Sequence, residues 1–187
     1  MAKPEVTFTK GTLTPSYLGH FGGTSGVRYN FILWNDLYKN IKNVNTLLDG
    51  IDKVPAETQA DQAKIKQIKA EAYFIRAFDY TNLLRAYGGL VISDKKYNLD
   101  DDFSAFTRSS LQETVDFILG DIEKAIADLP LKTDIAQGRA TKGAAAALKS
   151  RLLSFIAGEL TNGGYEKSNS FVSFSDNNRK ERLLAAK

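Results

Sequence analysis

Glu71, Arg76 and Asp79 are residues of the kinds that move protons or hold oxyanions, and they share one stretch of the chain. Arg76 and Asp79 are three apart, close enough to pair on one helix face. That stretch is apolar on more than one side, however, and a charge placed there needs a partner. The spacing therefore predicts that these groups bond to neighbouring backbone and side chains and hold the helix in register. Arg139 and Lys142 read the same way, at the start of a later helix. His20, the single histidine, stands among Tyr17, Phe21 and glycines with no partner as base or ligand, and is expected in a loop or at the surface. Asp100-Asp101-Asp102 offers hard oxygen ligands without the alternating ligands, central glycine and terminal glutamate of a calcium loop, so a solvated loop is expected. Gly22-Gly23-Thr24-Ser25-Gly26 resembles a phosphate-cradling loop in composition only, lacking the Gly-Lys-Ser/Thr ending. The chain has no cysteine, which removes disulfides, thiolate metal sites and a cysteine nucleophile. A glycoside hydrolase would need two carboxylates held across a cleft, and helical patterning singles out no such pair. No catalytic residue, metal ligand or cofactor is assigned.

Tyr29, Asn30 and Trp34 carry a different chemistry. Sugar rings bind against aromatic faces while amides and hydroxyls bond their edges, and these three residues sit where a glycine-rich loop meets a helix, a common place for binding groups. Trp34 also falls on the apolar stripe of Leu37 and Ile41, which favours a packing role for it. Tyr29 and Asn30 have only their position to recommend them.

The elements that hold these residues are helical. Residues 1–30 are rich in Gly, Thr and Ser and read as loop. A first helix is predicted over 31–50, with Trp34, Leu37, Ile41, Val44 and Leu48 at steps of three and four. A second begins after Pro55 and runs to Tyr87. One of its lines holds Phe74 and Phe78, another Ala70, Tyr73, Ala77, Tyr80, Leu84 and Tyr87. A helix exposed on one face needs a single stripe, so this one is expected to be sandwiched, its alanines letting neighbours approach. Gly88-Gly89 closes it, and Leu90-Val91-Ile92 reads as a short extended piece. Ser109 with Gln112, or Ser110 with Glu113, forms a capping-box pattern ahead of the third helix, which Pro130 ends. A fourth covers about 141–160, Asn162-Gly163-Gly164 stops it, and residues 179–187 open another. Four long helices in consecutive pairs suggest stacked antiparallel hairpins, repeat-like without a strict repeat.

At 187 residues the chain suits one domain with a real core. Its formal net charge of +3 comes from interleaved basic and acidic residues, which gives nucleic acid no basic groove to occupy. No apolar run approaches the roughly 18 residues needed to cross a bilayer.

Four blocks, in order over about residues 31–160, carry a family likeness. The first is Trp34-Asn35-Asp36-Leu37-Tyr38, continuing through Ile41 to Asn45. The second runs from Glu71-Ala72-Tyr73-Phe74-Ile75-Arg76-Ala77 to Tyr87-Gly88-Gly89. The third is Arg108-Ser109-Ser110-Leu111-Gln112-Glu113, leading to Asp121-Ile122 and Leu129-Pro130. The fourth is Gly138-Arg139-Ala140-Thr141-Lys142-Gly143, leading to Arg151. Together they resemble the SusD/RagB family of outer-membrane nutrient-binding lipoproteins. One departure is Leu90-Val91-Ile92-Ser93, where members usually carry a Val-Pro-Leu-type strand.

The resemblance implies an all-α fold of stacked antiparallel, tetratricopeptide-like helix pairs, incomplete at the C-terminus. It divides the chain into an N-terminal segment, 1–30, and a truncated helical domain, 31–187. Glu71, Arg76, Asp79, Gly88, Gly89, Arg108 and Arg139 become its structural motif. Members are several hundred residues long and carry a signal peptide and a lipidated cysteine that this chain lacks, so the likeness implies the N-terminal portion of a protein anchored at the cell-surface side of the outer membrane. The implied activity is capture of oligo- or polysaccharides and delivery to a TonB-dependent, SusC-like transporter, without catalysis or cofactor. The alternative is a helical-repeat module that binds protein and has no glycan site.

Overall fold

Local capping signals fix where three of the helices start. In the computed structural model, which describes residues 34–185 apart from Leu99, Ala105, Tyr165 and Asn177, α1 spans Trp34–Ile51 and α2 spans Gln59–Tyr87. Thr58 caps α2 with a reciprocal box: the Asp61 amide donates to Thr58 Oγ1 (3.1 Å) and the Thr58 amide donates to Asp61 Oδ2 (3.2 Å). α3, Leu111–Asp128, is capped by the Ser110/Glu113 member of the two candidate pairs. α4, Lys142–Ile156, begins on Thr141, whose hydroxyl accepts from the Ala144 amide, and α5 covers Arg179–Ala185. The expectations placed on residues 1–33, including His20, the glycine-rich segment, Tyr29 and Asn30, lie outside the described residues.

α4 stops four residues short of the expected 160. The reason is local, because the Asn162 amide folds back to donate to the carbonyls of Ile156 and Gly158 (2.9 and 2.6 Å). Those carbonyls thus find a partner without another helical turn. Leu90-Val91-Ile92, expected as an extended piece, pairs with no strand among the described residues; the Val91 carbonyl and the Ser93 amide that follows are bound by tyrosine hydroxyls instead. No strand occurs among the described residues.

Consecutive helices pack on each other as stacked antiparallel pairs, and α4 also reaches α2. Tyr80, Leu83 and Leu84 of α2 meet a core made with Ile41 of α1, Val115, Ile118 and Ile122 of α3, and Leu152 of α4, all fully or nearly fully buried. Ala70, Ala125 and Ala145 join Leu129 in a second cluster, where small side chains let α2, α3 and α4 come close. The sandwiching of α2 is incomplete. Ile75 and Phe78 are 45% and 41% exposed, so the Phe74–Phe78 line is covered only at Phe74, which packs against the alanine cluster. Arg151 lays its guanidinium over the Phe78 ring.

Candidate functional site

Trp34 is the first residue of α1, and one turn later comes Tyr38. Their rings stack at 4.6 Å, tilted by 43°. α2 ends beside them, and Tyr87, its last residue, meets Trp34 edge-on at 4.9 Å. The row continues inward from Tyr38 to Tyr80 and on to Phe117. Its inner members are pinned by hydrogen bonds: Tyr38 donates its hydroxyl proton to the Val91 carbonyl (2.8 Å), and Tyr80 Oη accepts from the Ser93 amide (2.7 Å). Burial pushes the Tyr38 hydroxyl up to about 12 and raises that of Tyr80 further, so both remain neutral donors. At the outer end Trp34 and Tyr87 are each 39% exposed. The core placement favoured by the stripe with Leu37 and Ile41 is therefore only half realised, because Trp34 stands at the tip of its helix. The result is an accessible aromatic corner on a braced base, a surface suited to the apolar face of a sugar ring. Of the three residues assigned to ligand, Trp34 alone lies among the described residues. Tyr38 and Tyr87 were missed as its neighbours. The i,i+4 spacing of Trp34 and Tyr38 was the available signal for one, and no local signal existed for the other.

Arg76 anchors the middle of the fold. Its Nε and Nη2 donate to Asp121 Oδ2 and Oδ1 of α3 (2.6 and 2.8 Å), while Nη1 donates to Asn45 Oδ1 of α1 and to the Asp94 carbonyl (2.6 and 2.9 Å). Arg76 and Asp121 are 3% and 1% exposed, and the guanidinium lies between the rings of Phe117 and Tyr73. Arg76 thus bonds to neighbouring side chains and backbone, as expected, and not to Asp79 three residues on. Asp79 is buried, its Oδ2 has no hydrogen-bond partner among the described residues, and burial raises its carboxyl to about 6. Above Arg76 opens a cleft of about 490 Å³ between α1, α2, α3 and the segment 94–96.

The remaining motif residues form two further ties. At the end of α2, Gly88 has φ +75°, and a Cβ there would collide with the Phe171 carbonyl; one on Gly89 would collide with the Ser109 carbonyl. Arg108 Nε donates to the Gly89 carbonyl (2.8 Å), its Nη2 reaches the Tyr87 carbonyl, and its guanidinium sits 4.6 Å over Phe171. The double glycine is thus the point where α2, the approach to α3 and residues 170–171 meet. Glu71 receives both Nε and Nη2 of Arg139, tying α2 to the loop before α4. Asp101 and Asp102 are exposed, and their carboxylates accept from the Asn98 and Ser104 amides in local turns. Among the described residues no cluster of three or more His, Asp or Glu could hold a metal, and no helix is long and apolar enough to cross a membrane.

Residues 23–153 fit the SusD-like family model described as starch-binding associating with outer membrane. The chain belongs to the SusD-like family. It is 32% identical over 95 residues to SusD-like protein P38 of Formosa agariphila, a match that covers 51% of this chain and 18% of that protein. The solved structure of BT4246 superposes with a TM-score of 0.74 at 26% identity, covering 96% of this chain and 32% of that one. A SusD-like carbohydrate binding protein of Bacteroides fragilis NCTC 9343 gives a TM-score of 0.57 at 26% identity, over 70% of this chain and 23% of its own. The SusD-like chain thus spans about a third or less of the relatives it matches.

Proposed function

We propose that this chain is part of a non-enzymatic receptor that captures oligo- or polysaccharides at the outer-membrane surface. The observation that carries the reading is the exposed Trp34–Tyr87 corner, held on a rigid aromatic row in a chain of the SusD-like family. The family description and the relative described as carbohydrate binding support it. Tyr29 and Asn30 remain proposed ligand contacts on the ground of their sequence position alone. The receptor is lipid-anchored on the cell-surface side and hands its ligand to a TonB-dependent, SusC-like transporter.

Trp34 is the sole tryptophan of the 187-residue chain, so in that chain intrinsic fluorescence reads the corner directly. Titration with a panel of plant and host polysaccharides should change that emission, and isothermal titration should show Trp34→Ala weakening the same ligands at least tenfold. Uniform failure to bind, with no transporter recovered from membranes alongside the intact protein, would sink the proposal. A second reading, a helical-repeat module that binds protein, draws on the exposed Ile75 and Phe78 of α2. Recovery of a soluble partner in place of a transporter would favour it.

A further inference from the structure

The cleft above Arg76 is separate from the aromatic corner and has a different character. Its cationic side chains are Arg76, Lys95, Lys96 and Lys124, against the carboxylates of Asp49 and Asp94. Arg76 is the floor, already neutralised from below by a two-point bond to Asp121. Lys96 lies 3.7 Å from Asp49. The other two lysines rest on rings: Lys124 Nζ sits 4.9 Å over Tyr73 and Lys95 Nζ 5.4 Å over Tyr97. Lys124 is 3.9 Å from Asp121, but both oxygens of that carboxylate are already engaged by Arg76 at shorter range. Asp94 in turn accepts from the Tyr97 hydroxyl. The mouth thus holds Lys95, with no ion pair within 4 Å among the described residues, and Lys124, whose one carboxylate neighbour is shared with Arg76; with Asp94 counted, the cleft keeps an excess of positive charge above walls formed partly by Tyr73 and Phe117. The volume of about 490 Å³ falls within the range of roughly 300–1,000 Å³ usual for small-molecule sites.

We propose that this cleft binds an acidic saccharide residue, with a carboxylate or sulfate ester between Lys95 and Lys124 and the ring against Tyr73 and Phe117. The assignment rests on the glycan-capture reading above and narrows it to glycans that carry negative charge. A neutral sugar would leave the cleft's excess positive charge unbalanced, whereas an anionic one balances it in a recess only partly open to water, where screening is weaker than on an open surface.

The test uses the full-length protein and calorimetric titration in 50 mM and 300 mM salt. The probes are oligogalacturonate, its neutral methyl ester, a sulfated galactan oligosaccharide and inorganic sulfate. The expected result is that an acidic oligosaccharide binds at least about tenfold tighter than the neutral ester at low salt. That preference should fall at 300 mM salt and should shrink about tenfold in Lys95→Gln/Lys124→Gln, both side chains being at the rim. Whichever acidic probe binds tighter identifies carboxylate or sulfate as the preferred group. The single variant Lys95→Gln, altering an exposed side chain, provides the same comparison if the double variant folds poorly. Equal binding of acidic and neutral oligosaccharides, unaffected by either variant, overturns the proposal and leaves glycan capture standing. Sulfate binding as tightly as the oligosaccharides overturns it as well, since the cleft would then take a simple anion. No binding by any saccharide defeats both readings.

Discussion

Replacing Arg76 by methionine tests the centre of the fold, because the structure sets what is left behind. Four hydrogen bonds vanish, two to Asp121 and one each to Asn45 and the Asp94 carbonyl. Asp121, 1% exposed, then holds a buried charge whose nearest remaining cation is Lys124 at 3.9 Å, an exposed side chain. Breaking a buried pair from one side costs about 3–5 kcal/mol, and the partial compensation by Lys124 places Arg76→Met near about 3 kcal/mol. Asp121→Asn should cost less, about 1–2 kcal/mol, because the guanidinium keeps Asn45, Asp94 and two aromatic faces. Removing both charges in Arg76→Met/Asp121→Asn leaves neither ion unpaired, so the double variant should lose less than the two single losses added. A coupling of about 2 kcal/mol is expected. Urea unfolding followed by far-UV circular dichroism gives the three free energies from the midpoints, provided the slope is unchanged. Single losses below about 1 kcal/mol, or strict additivity, would refute the claim that this buried pair locks α2 to α3.

Three further outcomes follow from neighbouring features. Asp79 has a folded-state carboxyl raised to about 6 from 3.8, so folding is penalised once the group must ionise: the penalty is absent below about pH 4, grows as pH rises through 6 and is full above it, at up to about 3 kcal/mol. Asp79→Asn should therefore match the parent near pH 4 and exceed it in stability by about 1–2 kcal/mol at pH 8, as read from thermal unfolding across that range. Gly89→Ala, which drives a Cβ into the Ser109 carbonyl, should cost more than about 2 kcal/mol. By contrast Gly120→Ala, in the interior of α3 with open space around it, should stabilise by up to about 1 kcal/mol, and the opposite order in denaturant midpoints would contradict the packing described at the double glycine. Ser110→Ala removes half of a capping box and should lower stability by about 1 kcal/mol, measurable as a shift in the urea midpoint.

The sequence alone was enough for features whose causes are local. A capping box spans four residues, so Ser110 with Glu113 announces α3 before anything packs on it. Apolar residues at steps of three and four similarly give the helices, and four ordered blocks give the family. Long-range geometry decided the rest. Arg76 has Asp79 three residues away, yet bonds Asp121 forty-five residues on, because a carboxylate from a facing helix meets both arms of the guanidinium fork. Once that bond is made, Asp79 is left buried, its Oδ2 without a hydrogen-bond partner among the described residues. The stripe that includes Trp34 suggested core, but helix ends escape cover, and only the meeting of α1's start with α2's end shows its ring half open beside Tyr87. Periodicity tells which residues share a face; whether a neighbour lies against all of that face depends on the packed neighbours, which is why Phe78, on a line expected to be covered, stands exposed.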